Sequence, residues 1–401
     1  MKKPIIVSGI QPTGNLHVGN YLGAVKNWVE LQNSGKYEMY IFIADLHSLA
    51  GNMTAKERHE QIIRTSAELI SAGIDPDKTT LFVQSHVPEH TELAWIFSTV
   101  TPMGELKRMT QFKDKAGFLD YEKKLKKGTE DGSINKDLEK NLKLWLAKKH
   151  VFTKEDVKEM FPKVIEPLLH TVKNNFFDKP EQLENKANTG LFTYPILQAS
   201  DILLYGGQVV PVGQDQIQHV ELTRDIAKKF NKKFGKYFPE TKHLLTEIPK
   251  VMSLLEPEKK MSKSLGEGHV IELADEPNVI EKKLKKAVTA SAGGEGAPGV
   301  QNLLLLLKQF SAQDGSASGG GDEAVYNGFV QAEMDGTIRY GDLKSEVAKA
   351  LDEYFAEFRE KRNELMMNHD ELAEILIAGA EKAKPVAQKT MDSVRKLVGI
   401  R

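Results

Sequence analysis

Residues Pro4 to Gly23 read PIIVSGIQPTGNLHVGNYLG. Ile5 to Val7 form a short apolar run rich in β-branched side chains, the composition of a buried parallel strand. Ser8 to Gly14 are Gly, Pro, Thr and small polar residues of the kind that make loops. From Val18 the pattern turns helical, with Leu22, Val25 and Val29 on one side. Strand, polar loop and helix start together aim backbone N–H groups and His17 at a place where an anionic phosphate can sit. Many α/β proteins open this way. The stretch becomes specific when paired with Lys260-Met-Ser-Lys-Ser264, a basic, hydroxyl-rich loop bounded by Gly266.

Working outward, further strands are expected at Met39 to Ala44 and Thr80 to Gln84, with a helix from Ala55 to Gly73 between them that stops at Gly-Ile-Asp-Pro. Apolar strands alternating with helices predict an α/β fold with a doubly wound parallel sheet. Ligands of such sheets bind beyond the carboxyl ends of the strands, where Asp45, His47 and Gln84 to His86 fall; the last three are equally suited to capping a helix. Glu89 to Val100 reads as helix. The helix that starts near Pro195, with Pro in its first turn, puts Gln198 and Asp201 on one face. A carboxylate among Ile202, Leu203 and Leu204 requires a donor, from the protein or from a ligand. Val209 to Val212 reads as a strand ending at Gly213, Asp215 and Gln216, and a helix follows with His219, Leu222 and Ile226 on one face. Lys242 to Pro257 reads as loop. Leu303 to Leu307 reads as a buried helix turn, and Gly293 to Gly299 and Ser316 to Gly321 as linkers. Val347, Leu351, Tyr354, Phe355 and Phe358 form one amphipathic stripe, and Pro385 is expected to kink or split the last helix.

The totals bound the function. The chain of 401 residues is long enough for two or three domains, and its 40% hydrophobic and 28% charged content is that of a soluble globular protein. A net charge of −1 provides no global basic field, so any RNA contact has to come from local patches. The absence of cysteine excludes disulfides, thiolate catalysis, cysteine-ligated zinc and iron–sulfur clusters, and no structural metal is expected. The apolar run at the N-terminus is too short for a signal peptide, and no run reaches membrane-spanning length, so a cytoplasmic protein without a membrane partner is expected.

His17-Val-Gly-Asn20 and Lys260-Met-Ser-Lys-Ser264 resemble the two signature motifs of class I aminoacyl-tRNA synthetases. The first departs from the family's His-Ile-Gly-His pattern at Asn20. That variant, with Gly9-Ile-Gln-Pro-Thr-Gly14 before it, is similar to tryptophanyl-tRNA synthetases. Arg108-Met-Thr-Gln-Phe-Lys-Asp-Lys115, Asp201-Ile-Leu-Leu-Tyr205, Val210-Pro-Val-Gly-Gln-Asp-Gln216, Glu221-Leu-Thr-Arg-Asp225, Ala287-Val-Thr289 and Asp342-Leu-Lys344 match the same family. The resemblance implies a Rossmann-type catalytic domain in two halves, 1–115 and 189–275. A helical insertion, 116–188, structural or interfacial in role, separates them. A helical region that docks the tRNA anticodon, 276–401, follows.

The resemblance also implies the chemistry: ATP-dependent activation of L-tryptophan, transfer to tRNA(Trp), and release of AMP and diphosphate. It implies ATP with Mg²⁺ as cofactor and a homodimer. Lys260, Ser262, Lys263, Ser264 and Asn20 are the expected catalytic residues. Gln11, Thr13, His17, Gly19, Asn20, Gly213, Asp215 and Lys260 to Lys263, with Met261 between them, are expected to bind ATP. Val7, Gly9, His47, Tyr194, Gln198, Asp201, Val210, Val212 and Gln216 are expected to bind tryptophan. Tyrosyl-tRNA synthetases share the fold and the reaction, and a catalytically silent paralogue is a further alternative. Val210 to Gln216 and the complete 260–264 loop favour tryptophan over tyrosine, and retention of both lysines argues against a silent protein.

Overall fold

The computed structural model describes residues 3–110, 112, 188–213, 216–245, 250–290, 296–311 and 323–400. The expected insertion up to residue 187, the Lys113 to Lys115 run, Asp215 and the Ser316 to Gly321 linker lie outside them. The chain divides into two compact units, Met1–Thr101 with Ile196–Arg401, and Pro102–Pro195. In the second unit the described residues include a short helix, Met103–Lys107, and an edge-to-face ring contact between Phe112 and Phe192 at 5.1 Å.

The first unit holds a five-stranded sheet of order β3-β2-β1-β4-β5, built from β1 (Ile5–Ile10), β2 (Glu38–Ile43), β3 (Thr79–Val83), β4 (Val209–Val212) and β5 (Lys242–Leu245). Every pairing is parallel. β1 pairs with β2 along its whole length, from Ile5↔Glu38 to Ile10↔Ile43, but with β4 only at Ile6↔Val209. The order reverses at β1, so beyond that single pairing β1 and β4 bound the crevice that a parallel sheet opens at its carboxyl edge. Pro211, which has no N–H for a ladder, sits in β4 past this point.

The helix Ala55–Ser71 begins with a capping box. Glu57 N–H donates to Thr54 Oγ1 at 3.3 Å, and Thr54 N–H donates to Glu57 Oε2 at 2.8 Å. The chain then helical from Val18 to Asn33 is interrupted at Tyr21–Val25 by a wider π-turn, in which Lys26 N–H reaches Tyr21 C=O. Tyr21 joins this segment to the C-terminal helices, since its ring packs edge-on to Tyr354 and Phe355 and its hydroxyl lies 2.8 Å from that of Tyr354. Leu303 to Leu307 lie in the helix Pro298–Phe310, as the leucine run predicts. The last helix, His369–Val398, packs on β3, and its Arg395 forks onto Glu92 at 2.6 and 2.9 Å.

Six expectations change. β1 continues through Ser8, Gly9 and Ile10 because these residues pair with β2, so the loop starts at Gln11. Lys242 to Leu245 is a strand, not loop: it is a short edge strand, half exposed, and lacks the alternation that marks a buried one. The helix holding Asp201 runs from Thr189 to Leu204, which places Pro195 inside it rather than in its first turn. Pro298 and Gly299 belong to a helix start rather than a linker. The apolar stripe divides between two helices, Tyr340–Tyr354 and Ala356–Met367. Pro385 does not split the final helix: it faces solvent, while Ala380, Ala383, Ala387, Met391 and Val394 are buried on either side of it. Burial on that scale outweighs the roughly 3 kcal/mol that an internal proline costs.

Candidate active site

His17 caps the helix that follows the first loop. Its Nδ1 accepts from Asn20 N–H at 3.3 Å, and Asn20 Oδ1 accepts from His17 N–H at 3.3 Å. Asn20 therefore completes a reciprocal cap, a role its short amide suits. His17 is buried, and that burial, reinforced by Lys263 and Lys260, lowers its pKa from 6.5 to about 4. The ring is neutral at pH 7. Since Nδ1 accepts, the proton sits on Nε2, which leaves a neutral donor at the head of the helix.

The second loop is anchored by its methionine. Met261 is buried, and its N–H donates to Val251 C=O at 2.9 Å, while Lys260 on its flank is exposed. Ser262 Oγ lies 2.9 Å from Ser264 Oγ and accepts from Ser264 N–H at 3.4 Å, so the two hydroxyls turn the loop tightly. Lys263 reaches across to the first loop. Gly14 has φ +86°, a conformation that favours glycine, and Lys263 Nζ lies 2.8 Å from where its Cβ would be. Lys263 also faces Glu272 Oε1 at 3.9 Å. The segment after the second loop pairs with the first: Leu273 N–H donates to Leu16 C=O and Val18 N–H to Ile271 C=O, both at 2.9 Å. The two motifs thus form one structure.

Asp201 is fully buried, among residues that follow β2 and β3. Its Oδ1 accepts from Gln84 Nε2 at 2.7 Å and from His90 Nδ1 at 2.7 Å; its Oδ2 accepts from His47 Nε2 at 2.8 Å. His90 Nε2 in turn lies 2.8 Å from the Tyr205 hydroxyl. An ionised carboxylate only accepts, so His90 donates to it from Nδ1. Burial alone pushes the Asp201 carboxyl up; the hydrogen bonds from His47 and His90 outweigh it and bring it down to about 2. A negative acceptor is thereby held in the interior beyond the carboxyl ends of β2 and β3.

Residues 1–135 and 163–356 match the model of the class I tRNA synthetases for W and Y. The chain belongs to that family. It is 38% identical over 408 residues, covering 99% of this chain and 98% of the other, to a tryptophan–tRNA ligase of Bacillus anthracis. It is 36% identical over 406 residues to that of Helicobacter pylori strain 26695, covering all of both chains. Among solved structures, tryptophanyl-tRNA synthetase from Campylobacter jejuni, complexed with ADP and tryptophan, superposes with a TM-score of 0.70 at 30% identity and covers 99% of this chain and 100% of that one. Tyrosyl-tRNA synthetase from Archaeoglobus fulgidus, at 18% identity and a TM-score of 0.57 over 90% of each chain, shares the fold.

The remaining expected residues of the synthetase fall as follows. Gln11, Thr13 and Gly9 are exposed at the end of β1 and in the loop after it. Val7, Val210 and Val212 are buried, the last two in a small cluster with Ile202 and Val220. Gly213 closes β4, and Gln216 N–H bonds back to its carbonyl at 3.0 Å before the helix Ile217–Phe234. Gln198 is half-buried one turn before Asp201. Tyr194 lies on the same helix, in the second unit. Gly19 leaves room for the His17 ring and Met261, at 3.0 and 3.6 Å from where a Cβ would be, so its small size already serves the protein's own packing. Of Gln84 to His86, Gln84 joins the carboxylate, Ser85 N–H donates to Asp45 Oδ1 at 3.0 Å, and His86 is exposed.

Sequence reasoning missed His90 and Phe42. His90 is two residues after Pro88 and reads as an ordinary first-turn residue; the need of Asp201 for donors was the signal that could have found it. Phe42 pairs with Gly9 across β1 and β2, and its ring lies 2.6 Å from where a Gly9 Cβ would be. Among the described residues, no group of three or more His, Asp or Glu side chains is arranged to hold a metal ion.

His17 makes stability depend on pH with a definite sign. The unfolded chain takes up the proton near 6.5, whereas the folded synthetase resists it until about 4. The contribution is therefore present in full above pH 6.5 and is lost as the pH falls towards 4. Thermal unfolding followed from pH 7.5 to 4.5 is expected to show a shallower decline for His17→Gln than for the parent.

Proposed function

We propose that this synthetase is a tryptophan–tRNA ligase. It activates L-tryptophan with ATP and passes the aminoacyl group to tRNA(Trp). The observation that carries the choice of amino acid is the 36–38% identity to tryptophan–tRNA ligases along the whole chain, and Asp201 offers a fitting acceptor. Gln84 and His90 occupy its Oδ1 and His47 half of Oδ2, so among the described contacts the open acceptor position is on Oδ2. The indole N–H is a donor with no acceptor character, and it matches such a position. Val7, Gly9, Val210 and Val212 line the apolar slot, Gln216 holds the ammonium, and Gln198 completes the wall.

In the first step a tryptophan carboxylate oxygen attacks the α-phosphorus of ATP, the bond to the β-phosphate bridge breaks, and pyrophosphate leaves. No protein nucleophile is needed; the protein positions the reactants and stabilises charge. His17 donates from Nε2 to a phosphate oxygen. Lys260 and Lys263 hold the leaving pyrophosphate as point charges, and Ser262 and Ser264 add hydroxyl donors. Gln11, Thr13, Gly19, Asn20, Gly213 and Asp215 complete the nucleotide site. Mg²⁺ bound with the ATP substrate would supply positive charge against the phosphates. In the second step the 2′-hydroxyl of the terminal tRNA ribose attacks the aminoacyl carbonyl and AMP leaves. The helical region 276–401 receives the anticodon arm, 116–188 is an insertion in the catalytic domain, and the enzyme works as a homodimer in the cytoplasm. None of the described helices is long and apolar enough to cross a membrane. Amino-acid-dependent pyrophosphate exchange, run with tryptophan against tyrosine, tests this reading.

A further inference from the structure

The helix Ala55–Ser71 turns a row of polar side chains onto the first loop. Gln61 Oε1 accepts from Gly14 N–H at 3.1 Å, Arg64 NH1 donates to Asn15 Oδ1 at 2.9 Å, and Glu68 Oε2 accepts from Leu16 N–H at 2.7 Å. The i, i+3, i+7 spacing puts all three on one helix face. They take hold of successive loop residues, and the next residue in the chain is His17. Asn15 is gripped from its other end as well, since its Nδ2 donates to Glu272 Oε2 at 2.6 Å, and Glu272 is the acid that faces Lys263.

Glu68 has no exposed surface. Its second oxygen, Oε1, accepts from Arg362 Nε at 3.2 Å, and Arg362 belongs to the helix Ala356–Met367. A carboxylate buried this deeply requires a cation or several donors, and here it has one of each. Burial pushes Glu68 up, and the Leu16 N–H and Arg362 oppose that rise. The backbone of the first loop is thus fastened, through one buried carboxylate, to a helix about 350 residues further along the chain.

We propose that Gln61, Arg64 and Glu68, backed by Arg362, form a clamp that sets the first loop for nucleotide, so that Arg362 is a positioning residue for ATP affinity although it touches no nucleotide. The role of the loop in holding ATP rests on the function proposed above. The grip runs to Gly14, Asn15 and Leu16 and leaves Asp201 and its partners alone, so the clamp acts on ATP and not on tryptophan.

Equilibrium affinities for MgATP and for tryptophan, measured by calorimetry on the full chain, test this. Arg362→Met is expected to weaken MgATP binding about tenfold, the scale of one hydrogen bond to a charged group, and to leave tryptophan affinity within about twofold. Arg362→Lys is expected to recover part of the loss. Unchanged MgATP affinity in Arg362→Met, or parallel loss of both affinities as the unfolding midpoint falls, overturns the clamp. Should Arg362→Met not fold, Gln61→Ala removes one grip without stranding a buried charge; it is expected to weaken MgATP binding about threefold, and no change overturns the proposal. A parent protein that binds MgATP but supports no tryptophan-dependent exchange removes the ligase reading, and the clamp is then still judged on MgATP affinity alone.

Discussion

Lys263→Ala is expected to form tryptophanyl-adenylate about 10²–10³-fold more slowly than the parent, the loss that follows removal of one preorganised charge-stabilising group. Lys263 is the lysine of the second loop that crosses to the first, where its ammonium packs over Gly14. It faces Glu272 at 3.9 Å, a loose pair in which both side chains keep about a quarter of their surface exposed, 27% and 25%. A pair of that kind does not neutralise the cation tightly. Burial lowers the lysine's pKa, with Glu272 and Glu68 acting against that. Truncation removes the positive charge and leaves two carboxylates beside the site of developing negative charge. The effect falls on kcat, because the charge grows on the leaving pyrophosphate in the transition state. Single-turnover adenylate formation measures it, and an unchanged rate removes Lys263 from the mechanism.

Asp201→Ala is expected to raise the tryptophan KM by at least about 10²-fold while the ATP KM stays close to that of the parent, since a charged acceptor for the indole donor is lost. The same change strips three donors, from Gln84, His90 and His47, of their acceptor inside a dry pocket. Stability is expected to fall by about 3–5 kcal/mol, the scale of leaving three buried donors without their acceptor. Asp201→Asn keeps the volume and one oxygen, so it loses less stability and still loses tryptophan affinity. Exchange kinetics in both variants, with unfolding followed alongside, separate the two effects. Normal tryptophan affinity in both contradicts the role of Asp201.

The elements that were legible in the sequence are those with a strong apolar pattern. Ile5 to Val7, Met39 to Ala44 and Thr80 to Gln84 announce buried parallel strands, and their order implies a doubly wound sheet. β5 was not legible, because Lys242-His-Leu-Leu245 is a short edge strand whose side chains meet solvent as often as protein. Pro385 misled because local propensity argues for a break, while packing on both sides of it keeps the helix whole. The two site motifs were legible as motifs, His47 as a residue past the carboxyl end of a strand, and Asp201 as a carboxylate that required a donor. Their partners were not. His90 lies 111 residues from Asp201, and Arg362 lies 294 from Glu68. Gln61, Arg64 and Glu68 read as the polar face of an amphipathic helix, and only the fold turns that face onto the first loop.

The central claim, that this synthetase activates tryptophan, is tested most directly by pyrophosphate exchange with purified full-length protein, with tryptophan and tyrosine compared under identical conditions. Full-length similarity to tryptophan–tRNA ligases predicts a kcat/KM for tryptophan more than about 10³-fold above that for tyrosine, within the range that synthetase pockets reach. Exchange that is equal or faster with tyrosine would contradict the assignment.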